Sequence, residues 1–362
     1  MHTLTPRHLI FALLFAVPAA LRAGEAGTAG ADFLRIPVGA RETALGGAFS
    51  AASSDANSVF YNPAGLGAAL PEISYSYNNY LPGVSQHWLA GAASSAGGAF
   101  GFAVNYLNVD SFASYDAADN RTGSVSAYGL AGYFGYGRAL RTGLRQLPVV
   151  RFGAAVKYIS ETLASSRASG YGLDAGVQLL TVLRGLSLGL AAENLAASRL
   201  EFINSGARPA RTLKAGAAYA VGSGADDVSA LVALDAAFPA DGGSYLSAGV
   251  ETLLYRTVAL RAGYAASGDI SNGLSFGLGL ALPGKRRNTR LDYSFGSSYD
   301  LGSVHRFGVT RRFGGSTAAA LGAKGEGSSA PALQSALKEE ESEVVKSAII
   351  EALGKLPPPV SE

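Results

Sequence analysis

Few residues in this chain could do covalent chemistry, and only two of them stand in a suggestive pattern. "GLSLG" (185–189) and "GLSFG" (273–277) both match G-x-S-x-G, the turn that presents a nucleophilic serine. That turn needs a strand to break sharply into a helix, and both serines sit inside alternating stretches that read as uninterrupted strand. His87 and His305 are the only imidazoles beyond the N-terminal stretch, so a triad or a histidine metal cluster has little to draw on. Cysteine is absent, which removes disulfides, thiolate metal sites and a thiol nucleophile. The chain reads as a non-enzyme without cofactor or metal.

What remains is ionic. From about residue 72 the apolar residues recur with a period of two, as in "RFGAAVKYI" (151–159) and "LSFGLGLAL" (274–282). One face is greasy. The other collects Arg151, Lys157, Lys214, Arg261, Arg306 and Arg312 beside Asp174, Glu193, Asp235, Glu251 and Asp292, two nearly balanced sets. The same face carries Gly153, Gly172, Gly176, Gly189, Gly216, Gly249, Gly263, Gly277 and Gly279. Glycine has no reason to crowd a wet surface, but it makes room where another backbone comes close. Matched charges removed from bulk water need partners. The expectation is a lumen, lined by these residues and filled by another part of the chain.

The alternating segments number about fourteen, from 73–80 to 303–313, most of them ten residues or more, near the ~9–11 that a tilted strand needs to cross a bilayer. With 47 glycines in 362 residues, charged residues at 15%, a net charge of +2 and a mean hydropathy of +0.19, a disordered polar chain and a nucleic-acid binder are both excluded. Arg7 and His8 precede an apolar run from Leu9 to Leu21, the pattern of a cleaved export signal over 1–23; the run is too short for a spanning helix. The fold expected is an all-β, antiparallel transmembrane barrel over 72–313, with outer-membrane lipid around it. Trp88 and the many tyrosines suit its aromatic girdle, and His305 its interface.

The filler expected is 24–71. It ends in "DANSVFYNPAGLG" (55–67), where Asn62-Pro63 stops regular structure and would fix where plug gives way to wall. Arg35, Arg41, Glu42 and Asp55 are its candidates for pairing with lumen charges. Beyond Phe313, the aromatic residue expected to close the last strand, 314–330 is a Gly/Ala/Ser linker. Pro331 can open a helix with Leu333, Leu337, Val345, Ile349, Ala352 and Leu356 on one stripe. Residues 332–356 are either a solvated or self-docked tail or the contact for a periplasmic partner.

The stretch "GADFLRIPVGARETALGGAFSAASSDANSVFYNPAGL" resembles the N-terminal signature of the PorV/PorQ family, relatives of the FadL long-chain fatty acid transporters. The matching positions are Gly39-Ala40-Arg41, Ala44-Leu45-Gly46-Gly47-Ala48, Asp55-Ala56 and Asn62-Pro63-Ala64-Gly65-Leu66. Phrases such as "GYGLDAGVQ", "LSLGLAAENL" and "LDYSFG" extend the resemblance to about residue 313. It implies a fourteen-strand outer-membrane barrel, placed by the barrel-assembly machinery, with Asn62, Pro63, Ala64 and Gly65 as a hatch and gating motif. It also implies handling of secreted protein cargo in type IX secretion. The alternative it implies is FadL-like transport of hydrophobic small molecules or fatty acids. The chain departs from the pattern in continuing past Phe313.

Overall fold

Strict alternation builds the wall strand by strand. In β5 (Val149–Leu163), Phe152, Val156 and Tyr158 are 41%, 55% and 37% exposed, whereas Ala155, Lys157 and Ile159 on the alternate face are buried. The computed structural model describes residues 29–95, 97–202, 205–222, 227–266, 273–282, 288–298 and 302–313. The export signal, the linker and the C-terminal helix expected from sequence lie outside those residues. The chain divides into two units, one of residues up to Leu282 with Thr289–Arg311 and one of Pro283–Asn288 with Arg312–Glu362. Of the second, Asn288, Arg312 and Phe313 are described; Arg312 N–H donates to Asn288 O at 2.8 Å, and Phe313 is exposed.

The early strands are β1 (Glu72–Leu81), β2 (Val84–Ser95), β3 (Gly98–Tyr115), β4 (Arg121–Arg141), β5, β6 (Ser166–Leu180) and β7 (Leu186–Ala197). A hairpin of β8 (Leu200–Phe202) and β9 (Ser205–Ala207) follows. The wall resumes with β10 (Thr212–Val221), β11 (Val228–Pro239), β12 (Tyr245–Leu254), β13 (Val258–Ala265), β14 (Leu274–Ala281), β15 (Thr289–Ser298) and β16 (Gly302–Arg312). All but β8 and β9 join one closed barrel of fourteen strands in chain order, with β10 beside β7 and β16 beside β1. Closure leaves no unpaired edge, the condition for crossing hydrocarbon with strands. The outer face carries Phe102, Phe134, Val156, Leu234, Phe276 and Phe307, each between 42% and 56% exposed. A band of that size facing water would aggregate; facing lipid it is at rest. Arg in place of Phe152 or Leu278, at mid-membrane, is expected to cost about 2–4 kcal/mol in urea unfolding from lipid vesicles, while Leu or Val there changes little.

The core lies inside the ring. Residues 30–71 start beside the connection between β7 and β10, where Gly30 N–H donates to Arg208 O at 3.0 Å. They end at Glu72, the first residue of β1, and strand alternation puts these two points at opposite ends of the barrel. In between, the segment touches strands around the ring from β2 to β15. A chain that meets a closed wall on all sides lies within it. Its elements are short: a 3-10 turn Asp32–Arg35, α1 (Ala40–Ala44), α2 (Ser58–Tyr61) and a 3-10 turn Pro63–Ala68. Phe60 packs edge-on against Tyr61, with centroids 5.0 Å apart, and against Trp88 at 5.5 Å; Trp88 meets Tyr133 at 5.7 Å. Trp88 is therefore not a girdle residue. It is 1% exposed and its indole N–H donates to Asn57 Oδ1 at 2.8 Å. Its strand parity, shared with Gln86 and Ala90, takes it inward whatever its side chain prefers.

Candidate functional site

The site is the contact between the inner segment and the wall. Asn62 is its pivot. Its backbone is extended (φ −160°, ψ 104°), its Oδ1 accepts from Ala64 N–H at 3.1 Å, and Pro63 opens the 3-10 turn with a preset φ. The amide nitrogen donates to Ser50 O at 2.7 Å and reaches the strand carbonyls of Leu190 and Val177 at 3.3 and 3.4 Å. The turn is thus tied both to its own segment and to β6 and β7. It is fully buried.

Glycines on the wall allow that approach. A Cβ on Gly176 would overlap Asn62 Oδ1, and one on Gly153 would overlap the Pro63 carbonyl. Gly189 faces Ser50, Gly249 and Gly263 face Leu45, and Gly277 faces Ala44. Gly172, Gly216 and Gly279 instead make room for Lys157, Asp235 and Arg261. Gly65, in the turn that follows Asn62, is clasped by Ser53 and Ser58.

The ionic residues gather in clusters. Arg41 on α1 donates to Glu251 (2.7 and 2.9 Å) and lies 3.4 Å from Asp55. Glu251 also accepts from Arg261 at 2.6 Å, Arg261 from its other side reaches Asp292 at 2.8 Å, and Arg290 reaches Asp292 at 2.7 Å. Lys157 pairs with Asp174 at 2.8 Å and Lys214 with Glu193. Asp235 accepts from the N–H groups of Phe49 and Ser50 (3.0 and 2.9 Å) and from the Ser50 hydroxyl at 2.6 Å. Arg35 pairs with Asp241 at 3.1 Å at the far end. Three of the expected charges pair differently. Glu42 meets no wall charge and takes Asn57 Nδ2 at 2.9 Å. Arg306 has no carboxylate partner among the described residues, and Arg151 has only the Gln178 amide, at 3.2 Å.

Several anchors carry no charge and were not singled out from sequence. Gln178, fully buried, donates to Ser53 O and Ser53 Oγ at 2.9 Å each and to Ser50 O at 3.2 Å. Thr43 meets Ser294 at 2.9 Å, and Glu72 accepts from Ala56 N–H at 2.8 Å. The serines of the two G-x-S-x-G matches lie within strands; Ser187 donates to Ala51 O and Ser275 to Ala44 O, with no histidine at hand. His87 and His305 each meet a tyrosine hydroxyl, Tyr75 at 2.9 Å and Tyr293 at 2.8 Å.

Burial and the charge of Asp55 push the Glu42 carboxyl up to about 7, against the opposing pull of Arg41. A carboxyl that holds its proton in the folded chain and loses it in the unfolded one weakens the fold as pH rises. Stability is expected to fall by about 3 kcal/mol as pH climbs through the 4.5 to 7 range and to level off above it. Glu42→Gln should flatten that slope in denaturant unfolding followed against pH.

Two cavities flank the filled stretch. One of about 610 Å³ opens at the end where β6 connects to β7 and β10 to β11; its walls include Val149, Leu180, Leu186, Ala218, Leu231 and Leu253, with Arg41, Arg151 and Arg184 among them. The other, about 660 Å³, lies at the opposite end between the β8–β9 hairpin, Asn194–Ala197 and Asp241.

A closed antiparallel ring with an apolar outer band and a polar, occupied lumen defines a transmembrane β-barrel. Its fold is similar to the toluene transporter TbuX of Ralstonia pickettii, 13% identical, with a TM-score of 0.50 over 76% of this chain and 98% of that one. It is likewise similar to the monoaromatic hydrocarbon channel CymD, 11% identical, with a TM-score of 0.51 over 77% of this chain and 98% of that one. A FadL homologue of Pseudomonas aeruginosa aligns more loosely, at 12% identity and a TM-score of 0.41 over 81% of this chain and 99% of that one. No protein-family model and no curated protein matches the chain. The fold is the one that TbuX and CymD share. The PorV/PorQ resemblance and the secretion role it implies find no support in these likenesses.

Proposed function

We propose that the protein passes small hydrophobic molecules across the outer membrane, with residues 24–71 as its hatch, 72–313 as its wall and Asn62, Pro63, Ala64 and Gly65 as the fixed point of the hatch. The observation that carries this is the 610 Å³ cavity where the hatch stops short of the wall. Its size is that of a small-molecule site, and half of its lining is Ala, Val and Leu, with Arg41, Arg151, Arg184 and Glu251 as the charged remainder. A barrel that starts and ends on the periplasmic side turns this cavity toward the periplasm. TbuX and CymD, which share the fold, carry toluene and monoaromatic hydrocarbons by name, in keeping with an apolar cargo. No observation favours the secretion reading.

The test is binding of a hydrophobic fluorescent probe to the purified protein in detergent, with toluene as competitor. Ala218→Trp, which fills the cavity, and Leu231→Arg, which charges it, are expected to weaken probe binding tenfold or more. Binding unchanged in both variants, or toluene without effect on the wild type, would overturn the reading.

A further inference from the structure

Two wall cations, Arg151 on β5 and Arg306 on β16, lack a carboxylate among the described residues; Arg151 keeps the Gln178 amide, and Arg306 is the more deeply buried. It is 8% exposed, its Nε has no hydrogen-bond partner, and no carboxylate among the described residues pairs with it. Lys157, Lys214, Arg261 and Arg290, its counterparts on other strands, each hold one. A guanidinium presents five N–H groups and keeps its charge at any physiological pH, so burial without a counter-charge is strongly unfavourable.

The neighbours of Arg306 do not supply one. Ser294, its cross-strand partner on β15, is engaged with Thr43. On the other side, the Ser74–Thr310 contact at 3.1 Å sets β1 against β16, and antiparallel pairing from that point brings Asn78 opposite Arg306. Asn78 Nδ2 donates to Gln86 Oε1 at 3.0 Å, and Gln86 Nε2 to Asn105 Oδ1 at 3.1 Å, a row of amides that crosses β1, β2 and β3. Asn105 Nδ2, fully buried, is a second donor without a partner, and Asn78 Oδ1 is the one open acceptor of the row. Tyr61, on the segment that faces this strip, already gives its hydroxyl proton to Val38 O at 2.7 Å. Beside Arg306 the strip offers one open amide oxygen and no negative charge among the described residues.

We infer that Arg306 is the binding site of a compact monovalent anion, held inside the barrel between β16 and β1. An anion supplies both the acceptor that the Arg306 guanidinium lacks and the missing charge. Water would supply only the first. The site lies away from the 610 Å³ cavity, so it stands whether or not hydrophobic molecules pass. Its role is to complete the lumen's charge balance and so set how firmly the wall closes at the β16–β1 seam.

Bromide is the probe. Thermal unfolding of the full chain in detergent is followed in sodium bromide and in sodium gluconate at equal ionic strength, and crystals grown in bromide are measured for anomalous scattering. The expected result is a midpoint that rises by about 2–5 °C with bromide and saturates, as for a ligand held only by the folded state. An anomalous peak within about 3.5 Å of the Arg306 guanidinium is expected with it. Arg306→Gln should lose both the rise and the peak while running as a folded barrel on unheated gels. A midpoint that tracks bromide equally in the variant, or a wild-type map with water alone at Arg306, would overturn the assignment. If the variant does not fold, the wild-type peak alone decides.

Discussion

Replacing Glu251 with Ala is expected to destabilise the folded protein by about 3–5 kcal/mol, because the carboxylate that joins Arg41 of the hatch to Arg261 of the wall is removed from a buried site. Both guanidiniums would then share the interior without the charge between them. Arg41 keeps Asp55 at 3.4 Å and Arg261 keeps Asp292 at 2.8 Å, so the fold should survive in weakened form. The double change Glu251→Leu with Arg261→Leu is expected to cost less than Glu251→Ala alone. It deletes a charge with its partner, leaving Arg41 with Asp55 and Asp292 with Arg290. Denaturant unfolding of both single variants and the double variant measures this. Additive losses would show that the two side chains are solvated independently.

Tryptophan at Gly176 is expected to expel the Asn62 turn from the wall. The space a side chain would need there is held by Asn62 Oδ1, and the turn cannot retreat while Gly153 presses on the Pro63 carbonyl from the neighbouring strand. The wall is closed by its own strand ladder, so the variant should keep the heat-modifiable mobility of a folded barrel. Its residues 30–70 should become sensitive to added protease, and polar solutes should leak through. Asn62→Ala, which loses the cap on Ala64 and the bond to Ser50, is the milder form, with an expected cost of about 1–3 kcal/mol. Unchanged protease protection in Gly176→Trp would mean that the turn is a linker and not an anchor.

The wall was legible because its strands are long and two-periodic: fourteen alternating runs become fourteen strands. The β8–β9 hairpin was not, since three residues are too few for a period to declare itself. Glycine on the charged face pointed to a second backbone, and Gly153, Gly189 and Gly263 each face one. Which charges meet was beyond reach. Arg41 and Glu251 lie 210 residues apart, and only the closed topology brings them together. Alternation puts Gln178 on the lumen face, but an uncharged amide shows its value only once the carbonyls of Ser50 and Ser53 are placed before it. Trp88 shows the opposite error. Residue type argued for the membrane surface, and strand parity placed it in the core.

The central claim is that the hatch closes this barrel to water while small hydrophobic molecules still cross. Permeation into liposomes that carry the full-length protein, with toluene and glucose compared side by side, tests it most directly. The account predicts toluene entry several-fold above protein-free liposomes with glucose entry unchanged, and Gly176→Trp admitting both. Equal entry of toluene and glucose in the wild type would mean an open pore, and toluene entry no faster than through bare lipid would mean a barrel that transports nothing of this kind; either result contradicts it.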